Sequence, residues 1–303
     1  MPENLLDQNM KCCMLCPRMC RVNRAAGQTG FCGMGDKVTA ARAALHYWEE
    51  PCLSGEEGSG TIFFTGCTLR CVYCQNAVIA AGKTGREISS EQLTEIFLRL
   101  QGEGANNINL VTPTHFLPQI MKSLIDAKQL GLTIPVVYNT SGYERPEILR
   151  ELEGLVDVWL PDFKYWDSCT ALKYSSAPDY PERARAALQE MVRQAGKPEF
   201  DQRGRMLRGV IVRHLLLPGK LKEARKIVEY LYKTYGDSVY ISMMNQYTPL
   251  PHVKPWKELD RKVTAREYGA LVDYALDLGV ENGFIQEGET ASESFIPEFD
   301  CSL

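Results

Sequence analysis

Three cysteines, Cys67, Cys71 and Cys74, stand at the spacing C-x3-C-x2-C in the stretch TGCTLRCVYCQN from Thr65 to Asn76. Thiolates this close in sequence can converge on one [4Fe-4S] cluster. Such a cluster takes four ligands, so three protein thiolates leave one iron open. An open coordination position is where a metal site does chemistry. A structural zinc, or a cluster closed by a distant fourth thiol, would use the same residue types. The flanking sequence argues for the open site. Thr61-Ile62-Phe63-Phe64 is a run of β-formers that ends at Gly66, which reads as a buried strand feeding a glycine turn. The cysteines then occupy the first loop past the C-terminal end of a strand, the usual site position in an α/β barrel.

A second group precedes them. Cys13, Cys16 and Cys20 run C-x2-C-x3-C, and Cys32 follows after a glycine-rich stretch. Four thiols so spaced can hold tetrahedral zinc or an iron–sulfur cluster; a reduced cysteine-rich surface loop is the plain alternative. Gly27, Gly30, Gly33 and Gly35 let the backbone wrap closely around a metal that substitutes for a core. Cys12 is spare by this spacing. Nine of the eleven cysteines lie between Cys12 and Cys74, and such clustering in a reducing compartment points to metal rather than disulfides. Cys52 reads as a single buried thiol, and Cys169 and Cys301 carry no pattern.

The elements that must position these residues alternate along the chain. Short apolar strands are expected over 61–64, 107–111, 134–138, 156–160, 207–215 and 239–243, with a last short one over 283–286. Helices are expected over 91–100, 116–130, 147–152, 181–194, 221–235 and 264–278, from apolar residues at helical spacing, Ser90 as a cap, Pro181 in a first turn, and Gly236 and Gly279 as stops. Residues 37–45 fit either a strand or a short helix. Six strand–helix units describe a parallel α/β architecture; a doubly wound sheet is the alternative. Neither the dinucleotide fingerprint G-x-G-x-x-G nor the phosphate-cradling G-x-x-x-x-G-K-[ST] occurs. Residues 1–59 are read as a small cysteine-rich metal-binding extension and 60–303 as the barrel with a C-terminal tail. The polar tail after Gly288 is expected to pack over the barrel or its open edge.

The whole composition narrows the function. A formal charge of -4 and a pI of about 5.7 disfavour nucleic-acid binding by a basic surface. No apolar run approaches the roughly 20 residues of a membrane span, and Met1-Pro2-Glu3-Asn4 lacks the basic and apolar regions of a secretion signal, so a cytoplasmic location is expected. Site residues are sought where strands end. After the second strand stand Thr112, Thr114 and His115; the hydroxyls can hold an amino or carboxylate group, and His115 is either an acid–base group or a helix cap. After the third stand Asn139, Ser141 and Gly142, which serve either a ligand or a turn. After the fourth, Asp162 and Lys164 fall two apart, on one side of an extended backbone; an acid facing a cationic group of a ligand and a lysine facing a carboxylate are sensible there, and a rim salt bridge is the alternative. Arg213 stands in an otherwise apolar strand and needs a partner. Asn245, Gln246 and Tyr247 follow the sixth strand and can line a substrate side.

The motif Cys67-x3-Cys71-x2-Cys74, with Gly66 before it, Tyr73 inside it and Gln75-Asn76 after it, resembles the cluster motif of the radical S-adenosylmethionine superfamily. The resemblance implies a partial (β/α)6 barrel over roughly Gly60 to the end. It implies a [4Fe-4S] cluster whose open iron is chelated by the amino and carboxylate groups of S-adenosylmethionine, reductive cleavage to a 5′-deoxyadenosyl radical, and an electron donor such as flavodoxin or ferredoxin. It puts Tyr73 near the adenine. Where the superfamily usually has a Gly-Gly-Glu-like stretch, this chain has Thr112-Pro113-Thr114-His115. The N-terminal cysteines, Asn139, Asp162, Lys164 and Arg213 resemble the subgroup similar to pyruvate formate-lyase activating enzymes. That implies hydrogen-atom abstraction from a glycine or another residue of a protein or peptide, and sets the segment from His46 to Cys52 near the mouth of the site. The other classes are a non-catalytic iron–sulfur electron carrier or redox sensor, and a zinc-stabilised scaffold.

Overall fold

The structure is a computed structural model that describes residues 5–286, 297 and 299–303. Ten strands are present among the described residues: β1 (Val38–His46), β2 (Ser59–Phe64), β3 (Arg86–Ile88), β4 (Ile108–Val111), β5 (Val136–Thr140), β6 (Val158–Pro161), β7 (Glu199–Phe200), β8 (Met206–Leu215), β9 (Tyr240–Met244) and β10 (Gly283–Ile285). Their order across the sheet is β10-β9-β8-β6-β5-β4-β2-β1-β3, with β7 paired to β8. All neighbours from β2 to β10 along this path are parallel, and the β1–β2, β1–β3 and β7–β8 pairs are antiparallel. The sheet ends at β3 and β10, which do not pair, so the ring is partial.

The α-helices are α1 (Leu5–Lys11), α2 (Pro51–Ser54), α3 (Ala77–Ala80), α4 (Ser90–Gly102), α5 (Leu117–Gln129), α6 (Pro146–Arg150), α7 (Ser168–Ser175), α8 (Tyr180–Ala195), α9 (Leu221–Tyr235) and α10 (Ala265–Leu278). None of the described helices is long and apolar enough to cross a membrane. Each parallel connection carries a helix, as parallel strands require. The cap of α4 is Ser89 rather than Ser90: its hydroxyl accepts from the Gln92 amide at 3.2 Å and the Gln92 side chain accepts from the Ser89 amide at 2.9 Å. This reciprocal box needs a glutamine three residues on, and only Ser89 has it. Gly236 and Gly279 end α9 and α10 with positive φ, 50° and 96°, as glycine allows without penalty.

Period two along the strands sorts the interior. Val136, Tyr138, Trp159, Val210 and Val212 belong to the large core shared with the helices. Val137, Val158, Leu160 and Ile211 belong to a smaller cluster with Cys52, Leu53 and Met206 inside the ring. Two residues further along the same face stand Asn139, Asp162 and Arg213. The apolar layer thus forms the floor on which polar residues sit.

Residues 38–46, open between strand and helix in the sequence, form β1, which lies against β2 and is in turn paired at Ala40 with β3. Most of the acidic tail lies outside the described residues. Its described end packs on β1: the Cys301 amide donates to the Ala41 carbonyl at 3.0 Å, the Ala43 amide to the Ser302 carbonyl at 2.8 Å, and Phe299 meets Phe63 edge-on at 5.5 Å.

Candidate active site

A cavity of about 210 Å³ opens at the C-terminal ends of the parallel strands. Cys67, Cys71, Tyr73 and Cys74 line it, with Thr112, Asn139, Ser141, Asp162, Lys164 and Arg213 from the strand ends, and His46, Trp48 and Glu49 from the end of β1 and the segment after it. The strand ends explain the gathering. Val111 is level with Asn139, Asn139 with Leu160, and Asp162 bridges to Arg213 across parallel neighbours.

The cluster loop starts where β2 ends. Gly66 has φ +88°, and a Cβ there would lie 2.4 Å from Met34 and 2.9 Å from the Cys32 carbonyl oxygen, so only glycine fits this turn. The Leu69 and Arg70 amides point at Cys67 Sγ from 3.3 and 3.4 Å. Burial pushes the Cys74 thiol up to about 12, with Cys71 and Cys67 adding to the rise and Lys164 opposing it; burial, then Cys71, raises Cys67 as well. Among the described residues no group of three or more His, Cys, Asp or Glu side chains is drawn together tightly enough to hold a metal ion as it stands. The donor set nevertheless fits an iron–sulfur cluster. Three thiols line one cavity, amides and the Lys164 ammonium favour their thiolate forms, and burial, which raises them, would be offset further by a bound cationic centre. Tyr73 stands behind them, buried, with the Tyr165, Tyr174 and Tyr247 rings edge-on at 6.2 to 6.3 Å.

The polar residues of the cavity form one charge network. Arg213 donates from Nε to Asp162 Oδ1 at 3.2 Å, from Nη1 to Glu49 Oε2 at 3.1 Å, and from Nη2 to Asn139 Oδ1. Lys164 Nζ donates to Asp162 Oδ2 at 2.6 Å. Glu49 Oε1 accepts from Asn109 and Asn139 at 3.0 and 3.3 Å. Burial works to raise the Asp162 carboxyl, but Lys164 and Arg213 together hold it below the usual range. Burial raises Glu49 despite Arg213. Lys164 remains cationic: burial would lower it, and Asp162 and the Cys71 thiol outweigh that. Asp162 and Lys164 thus form the salt bridge that was the plain alternative for them, and both line the cavity.

Glu49 is the site residue that sequence reasoning missed. It lies in the segment set near the mouth, but nothing in its own neighbourhood announces a buried partner for Arg213. The available signal was that Arg213 needs an acid, with Glu49 and Glu50 adjacent in a polar–aromatic run. Glu50 is also buried, and one of its oxygens, Oε2, has no hydrogen-bond partner.

Other expectations fall outside the cavity. Thr114 is turned into the interior, where its hydroxyl donates to Glu144 Oε1 at 2.6 Å, because it sits on the buried side of a short 3-10 turn. Thr112 keeps a place in the wall with φ 59°, a left-handed backbone unusual for a β-branched residue. His115 is neither at the cavity nor a side-chain cap. It is buried, its Nε2 meets the Thr65 carbonyl at 2.7 Å, and burial lowers it to about 3. It is a neutral strut under the cluster loop. Gln246 and Tyr247 line the cavity but Asn245 does not. Cys52 belongs to the apolar floor, and Cys169 is exposed.

The N-terminal thiols form their own neighbourhood. Cys13 and Cys32 are buried, Cys16 and Cys20 half-buried, and Cys12 exposed. The Cys13 amide donates to the Val22 carbonyl, the Arg21 amide to the Cys13 carbonyl, and the Phe31 amide points at Cys20 Sγ from 3.3 Å. Burial raises the Cys16 and Cys32 thiols, with Cys13 adding to both. Cys32 is therefore within electrostatic reach of Cys13, Cys16 and Cys20.

Comparison with known proteins agrees with this geometry. The model of the radical SAM superfamily matches residues 61–231. The chain is 30% identical to the uncharacterized protein MJ0674 of Methanocaldococcus jannaschii over 91% of its own length and 80% of that protein's. It is 24% identical to a second uncharacterized protein of that organism, MJ0808, over 48% of each. Among solved structures, Streptococcus suis SuiB bound to its precursor peptide SuiA aligns at a TM-score of 0.50 with 12% identity. That alignment covers 74% of this chain and 47% of SuiB, so the chain spans about half the length of that structure, and the likeness is one of fold. A family match over more than half the sequence, on the strands and loop that carry Cys67, Cys71 and Cys74, makes this chain a member of the radical SAM superfamily.

Proposed function

We propose that this protein is a radical S-adenosylmethionine enzyme that abstracts a hydrogen atom from a glycine or another residue of a protein or peptide, in the manner of glycyl-radical-enzyme activases. The observation that carries the reading is that three thiols and the Asn139–Asp162–Lys164–Arg213 network line one cavity. In this reading Cys67, Cys71 and Cys74 hold a [4Fe-4S] cluster. Bound together, the cluster and S-adenosylmethionine supply reductive carbon–sulfur cleavage and a 5′-deoxyadenosyl radical.

The residues of the chain then bind, orient and exclude. Asn139, Ser141 and Thr112 offer donors and acceptors to the polar ends of the cofactor. Arg213 and Lys164 offer cations to its carboxylate, and Asp162 an anion to its sulfonium. Tyr73 and its ring of tyrosines keep the thiol side dry, which strengthens every charge interaction inside. No protein acid or base is required for hydrogen-atom transfer, because the cofactor carries the hard chemistry. Residues 60–303 form the catalytic unit, and residues 1–59 an extension that binds a second metal, zinc or iron–sulfur, at Cys13, Cys16, Cys20 and Cys32. A flavodoxin or ferredoxin is the expected electron donor. Nine clustered cysteines suit a reducing cytoplasm.

A macromolecular substrate is supported by the partial ring and by Trp48, which lines the cavity and is 65% exposed, a residue type suited to contact with a protein surface. SuiB, of the same fold, is seen with a peptide. The reading is tested with deuterium. The reconstituted enzyme, reduced anaerobically with S-adenosylmethionine, is given perdeuterated cellular protein in one arm and perdeuterated small-molecule extract in the other. Deuterium is expected in 5′-deoxyadenosine from the protein arm. Its appearance only from the small-molecule arm would contradict the assignment.

A further inference from the structure

We infer that the N-terminal cysteine loop holds the radical-cluster loop in place, with Arg18 and Phe31 as the positioning residues. The inference rests on Cys67, Cys71 and Cys74 being the cluster ligands. Its geometry concerns only the two loops.

Arg18 lies between Cys16 and Cys20, yet its side chain is spent on elements far along the chain. Its Nε donates to the carbonyl of Thr68, between Cys67 and Cys71, at 2.9 Å. Its Nη2 donates to the Ser175 carbonyl at 2.8 Å and its Nη1 to the Ser176 carbonyl. These two carbonyls belong to the C-terminal end of α7, where helix carbonyls lack intrahelical partners and a cation is favoured. The preceding carbonyl, Tyr174, accepts from the Val72 amide at 2.8 Å, inside the cluster motif. One guanidinium therefore ties the cysteine module, the cluster loop and the end of α7 into a single joint.

Phe31, immediately before Cys32, completes it. The Arg18 guanidinium lies 3.8 Å from the centre of the Phe31 ring, and the Arg70 guanidinium, next to Cys71, lies 5.5 Å from the same ring. A Cβ on Gly33 would come within 2.6 Å of Arg70 Nη2, and one on Gly66 within 2.9 Å of the Cys32 carbonyl oxygen. At Gly66 the two loops approach backbone to backbone, too closely for a side chain, so a displacement of one there displaces the other. Ordering Cys13, Cys16, Cys20 and Cys32 around a metal would fix Arg18 and Phe31 between them, and through them the backbone from Cys67 to Val72.

Lysine cannot replace Arg18, because a point charge cannot span three carbonyls as a planar fork does. The test uses the full chain in metal-free, reduced form and measures hydrogen–deuterium exchange. In Arg18→Gln, and separately in Phe31→Leu, which removes only the stacking, amide protection over residues 67–74 should fall at least about tenfold. Protection over β4 and β5 should stay within about twofold of the parent, and Arg18→Lys should recover little of the loss. Unchanged protection of 67–74 in both Arg18→Gln and Phe31→Leu would overturn the inference, as would an equal loss across the whole sheet. A second readout follows iron and sulfide loading: the S-adenosylmethionine concentration that half-shifts the electron paramagnetic resonance spectrum should rise at least about tenfold in Arg18→Gln, a factor of 10 being 1.4 kcal/mol, and an unchanged value would overturn the coupling. A parent protein with no such spectrum would sink the proposed enzyme activity, and the exchange result on the metal-free chain would still decide whether Arg18 positions the loop.

Discussion

Replacing Cys71 with serine is expected to remove cluster binding at the cavity and to reduce 5′-deoxyadenosine formation at least about 100-fold, since changes to partners outside the ligand shell alone cost 10–100-fold. The size follows from the site. A serine hydroxyl is a hard oxygen where a soft thiolate is wanted, and among the described residues no other cysteine lines this cavity beside Cys67 and Cys74. The Lys164 ammonium interacts with these thiols; it stabilises thiolate but cannot ligate iron while protonated. Iron and sulfide content, and the spectrum of the reduced protein, report the loss directly. Cys169→Ser is the control. That thiol is exposed on α7, and its change should leave iron content and turnover within error of the parent. Retention of full activity by Cys71→Ser would remove the chemical basis of the assignment.

The second large effect is at Arg213. Arg213→Met is expected to cost about 3–5 kcal/mol of stability, because removing one partner of a buried ion pair strands the other. Here Glu49 loses its cation and the Asn139 carbonyl oxygen its donor, while Asp162 keeps Lys164. Burial already raises Glu49 against the pull of Arg213, so without the guanidinium it will take up a proton, and the loss should be smaller at pH 5 than at pH 8. Arg213→Lys should rescue only in part, since one ammonium cannot reach all three acceptors. Adding Glu49→Gln to Arg213→Met should return part of the stability, as expected for two residues in one network. Urea midpoints across this set, read with an unchanged slope, and calorimetric titration with S-adenosylmethionine separate the structural from the binding cost. A midpoint shift near zero for Arg213→Met would mean that the network does not hold the wall together.

Much of the frame was legible before any coordinates. Apolar runs a few residues long, separated by amphipathic helices with caps and glycine stops, can bury themselves only as a parallel sheet covered by helices, and the strand ends then follow from the runs themselves. Cys67, Cys71, Cys74, Tyr73, Asn139, Ser141, Asp162, Lys164 and Arg213 line one cavity because each sits just past or within such a run, and the sheet register carries them there. What was not legible depends on distant pairing. Glu49 reaches the site only because β1 pairs antiparallel beside β2, and nothing local to residues 38–46 chooses strand over helix. Thr114 has the right type and loop, but one turn of 3-10 backbone rotates it toward Glu144. His115 looks like chemistry in sequence and serves as a neutral strut, because a carbonyl two residues short of Cys67 needs a partner. Arg18 gives no sign of its role in sequence, since its acceptors lie about 50 and 157 residues away.

The central claim is that the three thiols leave one iron free for S-adenosylmethionine. The direct measurement is electron–nuclear double resonance on the reduced, iron- and sulfide-loaded protein with S-adenosylmethionine labelled at the amino nitrogen and at the carboxylate carbon. Hyperfine coupling to both labels is expected, and it should vanish in Cys67→Ser, Cys71→Ser and Cys74→Ser. A well-formed cluster with no coupling to either label would show the fourth iron filled by the protein itself and would contradict the account.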